Sequence, residues 1–186
     1  MVSITHDRWL QAQEAERGYH KEDFDTGRAH YADSYRQYFS HVGKPGNPTV
    51  IVEIGPADFP ALAYVEHLQG SLIIEPMPSD YLKRFNIPII TEPAETAIYE
   101  ADEVWLFNVL QHVINPGEIV ERAKKQAKMI RFFEPINTAI NDAHPWSLTM
   151  GMFKEWFGDC VVYYPANPGA VNFHTAECAY GVWHRV

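Results

Sequence analysis

Gly55 and Glu75, twenty positions apart, are the residues whose types and spacing point most directly to chemistry. Each closes an apolar run: Val50-Ile51-Val52-Glu53-Ile54 breaks at Gly55-Pro56-Ala57-Asp58, and Leu72-Ile73-Ile74 ends at Glu75. A glycine turn between a strand and a helix lets backbone N–H groups approach a ligand's polar atoms. A carboxylate at the tip of the next strand, at about this distance from the turn, can accept hydrogen bonds from two ribose hydroxyls. The pair therefore reads as a nucleoside-cofactor site. Glu53 is an acid inside an apolar run, so in a covered sheet it needs a partner, which a cofactor ammonium would supply. Asn108 stands where a fourth strand gives way to a loop, a position used by binding residues and by turn formers alike. For proton transfer, His112 is the first candidate and His144 the second. Both lie just beyond strands, and imidazole titrates near neutrality; the alternative for each is a hydrogen-bonded structural role. Glu134, Asp142 and His144 match no metal-ligand spacing, so no metal is expected.

The elements that must position these groups alternate. Strands are expected at Val50–Ile54, Leu72–Glu75, Pro88–Ile90 (an edge, because of its proline), Glu103–Phe107 and Met129–Phe133. Helices are expected after the first turn to about Gln69, around Asp80–Phe85, from Pro116 through Lys128 with Lys124, Lys125 and Lys128 in its last turn, and over Ser147–Phe157. Such alternation predicts a mostly parallel sheet with helices on both faces and ligands beyond the carboxyl ends of the strands. Strands at Asp159–Tyr164 and Thr175–Trp183, joined by too short a link for a crossover, must be antiparallel. Before the sheet, Trp9, Leu10, Ala12, Gln13 and Glu16 follow a helical period that stops near Gly18, and Arg28–His41 suits a second helix. Tyr19, His20, His30, Tyr31, Tyr35 and Tyr38 could line a substrate cleft or pack half-exposed on the core. Residues 1–45 thus read as a helical cap and 46–186 as the cofactor-binding core of one globular domain, divided at the breaker-rich Gly43–Pro48.

Composition narrows the partners. A chain of 186 residues with 46% apolar content can bury one sizeable core. A net charge of −9 gives no basic field for nucleic acid or anionic membrane surfaces. No signal-like N-terminus and no long apolar run are present, so a cytoplasmic protein is expected. Cys160 and Cys178 suggest neither a disulfide framework nor zinc.

These residues resemble the class I S-adenosylmethionine-dependent methyltransferases from about Thr49 onward. Val52-Glu53-Ile54-Gly55 is similar to the family's first motif, and Asp102 through Val113 to its post-fourth-strand motif. The resemblance implies a Rossmann-like seven-stranded sheet with an antiparallel C-terminal pair and S-adenosylmethionine as cofactor. It places Glu53, Gly55, Pro56 and Ala57 at the methionine end, Glu75 with Pro76 and Met77 at the ribose, Ala94-Glu95 at the adenine, and Asn108 where the chain passes the methionine end of the cofactor. The family's glycine-rich loop is here Gly55-Pro56-Ala57-Asp58-Phe59, in which only the first glycine survives. Ala57 adds a methyl group and Pro56 removes a donor, which disfavours a dinucleotide. The expected function is methyl transfer to a small-molecule acceptor, with a non-catalytic cofactor-binding or scaffold module as the alternative. A homodimer contact could use the edge near Pro88 or the aromatic N-terminus.

Overall fold

The computed structural model describes residues 3–17, 23–47, 49–167 and 176–185. Tyr19, His20, Pro48 and Thr175, named above, lie outside them. Two helices come first, α1 (His6–Arg17) and α2 (Phe24–Val42), followed by β1 (Ile51–Ile54), β2 (Leu72–Ile74), α3 (Asp80–Lys83), β3 (Ile89–Ile90) and β4 (Ala101–Phe107). The chain continues through α4 (Pro116–Gln126), β5 (Ala127–Pro135), α5 (Met150–Phe157), β6 (Val162–Tyr164) and β7 (Cys178–His184). The sheet has seven strands in the order β3-β2-β1-β4-β5-β7-β6. The first five pair in parallel, and β7 runs antiparallel to both β5 and β6. As expected, β3 is an edge.

Strand alternation divides the core in two. On β4, Val104 and Leu106 face the layer that contains Ile119, Val120 and Ala123 of α4 and Phe153 and Phe157 of α5. Trp105 and Phe107 face the opposite layer with Tyr35, Tyr38, Phe39 and Val42 of α2. So α2 is one of the layers of the sandwich as well as a cap. Its end is tied to the sheet by Arg131, whose guanidinium donates to the Val42 and Gly43 carbonyls and forms a buried ion pair with Glu103 at 2.7 Å. A buried pair of this kind needs all of its hydrogen bonds satisfied, and these partners supply them.

Local chemistry explains the helix ends. Asp23 caps α2 by accepting from the Asp25 and Thr26 N–H groups. Asn115 caps α4 with Pro116 in the first turn, and Thr149 caps α5. Two expectations fail. The helix expected to run to Gln69 is a single 3-10 turn, Ala61–Tyr64: Glu53 caps its start by accepting from the Ala61 and Leu62 N–H groups at 2.8 Å, and the turn ends where Val65 becomes extended. Lys128 is not in the last turn of α4, since Ala127 opens β5 by pairing with Ala101. The C-terminal strands are also shorter than expected. Gly158–Cys160 is a 3-10 turn and β6 starts at Val162.

Candidate active site

The cleft lies at the carboxyl ends of β1, β2 and β4. Gly55, with φ +62, turns the chain out of β1, and its N–H bonds the Ile74 carbonyl at 2.9 Å. A β-carbon there would stand 2.2 Å from Cγ2 of Val109, so only glycine lets the β1 turn pass the segment after β4. Ala57 also takes a left-handed φ of +53. Ala57 thus carries backbone strain that a glycine there would not. Asn108, φ +57, takes the same conformation after β4 and suits it better.

One chamber gathers most of the expected residues. Gly55, Ala57, Glu75, Pro76, Ala94, Glu95, Asn108 and His112 line it, with Trp9, Gln13 and Glu16 of α1 and Tyr31, Tyr35 and Tyr38 of α2 opposite. An outer bay shares Gln13, Glu16, Ala57 and Glu75 with the chamber and adds Met77. Glu75 thus belongs to both spaces. It is 8% exposed, and its Oε1 accepts from the Met77 N–H at 3.1 Å. Trp9, Gln13 and Val109 are walls that their sequence context did not mark. The tyrosines of α2 both line the chamber and pack into the core.

Three acids serve the chain's own backbone. Glu53 is fully buried and does not reach the chamber; its two oxygens accept from Ala61 and Leu62. The expected ammonium contact is therefore replaced by two main-chain donors, because β1 alternation points Glu53 to the face opposite Ile54. Burial pushes its carboxyl up to about 7, and the two N–H bonds oppose the shift. Glu95 lines the chamber, while its Oε1 accepts from the Ile114 and Asn115 N–H groups at 2.8 and 3.0 Å. Glu134, at the tip of β5, accepts from the Val109 and Leu110 N–H groups and so holds the segment after β4. Burial raises it to about 8. Pro56 is buried outside the chamber lining.

The histidines meet beside Glu16 of α1. His112 Nδ1 lies 3.2 Å from the Ala143 carbonyl and 3.7 Å from Glu16 Oε2. Both neighbours are acceptors, so the ring proton belongs on Nδ1, and the Gln111 amide 3.3 Å away donates to Nε2. The His144 ring meets His112 edge-on, 4.8 Å between centroids. Burial lowers the pKa of His144, with Glu16 opposing. Glu134 and Asp142 lie apart from His144: the first is engaged with backbone, the second is exposed.

The N-terminal helix is held down by hydrogen bonds to carbonyls. Gln13 donates to the His112 carbonyl, Arg8 to those of Asn141 and Asp142, and the Ile4 N–H to that of Ile114. Among the described residues no helix is long and apolar enough to cross a membrane.

The sequence matches no protein-family profile and no curated protein. Solved structures do match. N-methyltransferase NodS from Bradyrhizobium japonicum WM9, in complex with S-adenosyl-l-homocysteine, aligns over 94% of this chain and 98% of its own at 12% identity, with a TM-score of 0.63. The 1,6-didemethyltoxoflavin-N1-methyltransferase of Burkholderia thailandensis covers 100% of this chain and 92% of its own, at 12% identity and a TM-score of 0.64. Magnesium protoporphyrin IX methyltransferase ChlM from Synechocystis PCC 6803, with bound SAM, covers 97% and 90% at 14% identity and a TM-score of 0.55. All three share the topology described above, and at these identities the likeness is one of fold. The chain has the class I S-adenosylmethionine-dependent methyltransferase fold.

Proposed function

We propose that the protein transfers the methyl group of S-adenosylmethionine to a small-molecule acceptor. The observation that carries this reading is the meeting of Gly55, Ala57, Glu75, Ala94, Glu95 and Asn108 around one chamber whose far wall is built by α1 and α2. The donor set fits the cofactor: Glu75 offers a carboxylate to the ribose hydroxyls, and Ile54, Ile74, Pro93, Ala94 and Val113 offer an apolar slot to the adenine. The cofactor supplies an electrophilic methyl on a sulfonium, and the chain's own residues do the rest. Gly55 and Ala57 bring backbone against the amino-acid end. Asn108 marks the methyl position. Trp9, Tyr31 and Tyr35 hold the acceptor and exclude water, and alignment of the attacking atom accounts for most of the rate. His112 would receive the acceptor's proton, with His144 beside it. Two of the fold relatives named above are methyltransferases of 1,6-didemethyltoxoflavin and of magnesium protoporphyrin IX, which supports a small-molecule acceptor.

The test is turnover. Purified protein given S-adenosylmethionine and a panel of hydroxylated, amino and heteroaromatic acceptors should release S-adenosylhomocysteine in proportion to methylated product. Saturable cofactor binding with no product from any acceptor would favour a binding module that keeps the fold without catalysis.

A further inference from the structure

Three side chains from separate elements meet at the acceptor edge of the chamber: Glu16 from α1, His112 from the 3-10 turn Leu110–His112 after β4, and His144 from the loop after β5. One ligand-type atom from each lies within 4.8 Å of the others. We propose that this trio binds a divalent first-row transition-metal ion, zinc or a neighbour, at the acceptor end of the cleft.

The donor set selects the class of ion. Two imidazoles and one carboxylate suit zinc and its neighbours, whereas calcium and magnesium prefer all-oxygen shells. Three protein ligands leave further positions open, as in catalytic rather than structural zinc sites, and Glu16 and His112 both border the chamber. The distances suit an uncontracted site. Bonds of about 2.0–2.2 Å set tetrahedral ligands roughly 3.4 Å apart, so atoms lying within 4.8 Å of one another must close by at most about 1.4 Å. Glu16, 25% exposed on a helix surface, can supply that movement.

The surroundings fix the rings as an outer shell does. The Ala143 carbonyl holds Nδ1–H of His112 and leaves Nε2 as the ligating nitrogen, from which the Gln111 amide, now 3.3 Å away, would turn aside; the Asn141 side chain lies 3.4 Å from Nδ1 of His144. The ligands come from the cap and from both acceptor loops, so a bound ion would latch α1 over the cleft. The metal site itself stands on geometry alone. A catalytic use rests on the methyl-transfer reading: an acceptor hydroxyl on the open position would lose its proton more readily, and His112 would then act as a ligand instead of a base.

The experiment uses full-length, tag-free protein stripped with chelator and titrated with Zn²⁺ by calorimetry and with Co²⁺ by visible absorption. One equivalent should saturate, Co²⁺ should give d–d bands that Zn²⁺ bleaches, and the thermal midpoint should rise. Glu16→Gln and His144→Ala should each weaken Zn²⁺ binding at least about tenfold, with metal-free thermal midpoints near that of the parent. His67→Ala, remote from the trio, should change nothing. Absence of saturable uptake, or uptake equal in both trio variants, overturns the site. Cofactor titration of the same samples separates the two readings, since loss of one binding event leaves the other measurable.

Discussion

Gly55 and Val109 touch across the cleft so closely that a single added methyl on Gly55 would overlap Cγ2 of Val109 at 2.2 Å. That contact joins the β1 turn to the segment that Glu134 holds from below. Gly55→Ala would meet both the overlap and a φ of +62, and should destabilise the fold by about 2–4 kcal/mol in urea unfolding. A loss under 1 kcal/mol would mean that the two segments separate at little cost.

Glu75 borders both the chamber and the outer bay. Glu75→Ala should weaken S-adenosylhomocysteine binding by about 1–3 kcal/mol, because a charge-assisted hydrogen-bond pair to the ribose is lost. Calorimetry measures this directly, and unchanged affinity would remove the ribose assignment.

At Ala57, replacement by glycine relieves left-handed strain of about 1 kcal/mol and returns a similar amount of freedom to the unfolded chain. Folding stability should therefore stay within about 1 kcal/mol of the parent. Cofactor affinity should hold or rise. An affinity drop of tenfold in Ala57→Gly would show that the methyl group is a contact and not an obstacle.

Glu134 provides a pH prediction. Its carboxyl is raised from 4.5 to about 8 in the folded chain, so the folded state holds a proton that the unfolded state has released. Stability from this group is complete below about 4.5 and is lost as pH rises through 8. Glu53, raised to about 7, acts in the same sense, while His41 and His144, both lowered by burial, oppose it, and Asp102, held near 2, titrates below the window. The neighbouring Tyr38 and Cys178 stay neutral throughout. The clean readout is a difference. Glu134→Gln keeps one acceptor for the Val109 and Leu110 N–H groups and should gain thermal stability relative to the parent steadily from pH 5 to pH 8. A constant offset would place the proton elsewhere.

The strands were legible because β-branched runs ending at Gly55, Glu75 and Asn108 leave few alternatives once a parallel order is assumed. Their tips then converge whatever the loops do, which is why Gly55, Glu75 and Asn108 could be named together. The short turn at Ala61–Tyr64 was not legible: nothing local to Leu62–Gln69 says that the chain will turn extended at Val65 after a single turn. Glu53 announced its need for a partner but not the partner's identity, since burial alone does not tell a ligand's ammonium from the chain's own N–H groups. Glu16 was hidden for a different reason. On α1 it fits the amphipathic period as an ordinary polar residue, and only the return of the chain through Ala143-His144 gives it company.

The cap's attachment has an evolutionary consequence. Gln13, Arg8 and Ile4 anchor α1 to carbonyls of His112, Asn141, Asp142 and Ile114, and thus to groups that every amino acid possesses. Substitutions at those four positions therefore leave these hydrogen bonds in place, so sequence in both loops is free to drift while the seating of the N-terminal helix is inherited intact.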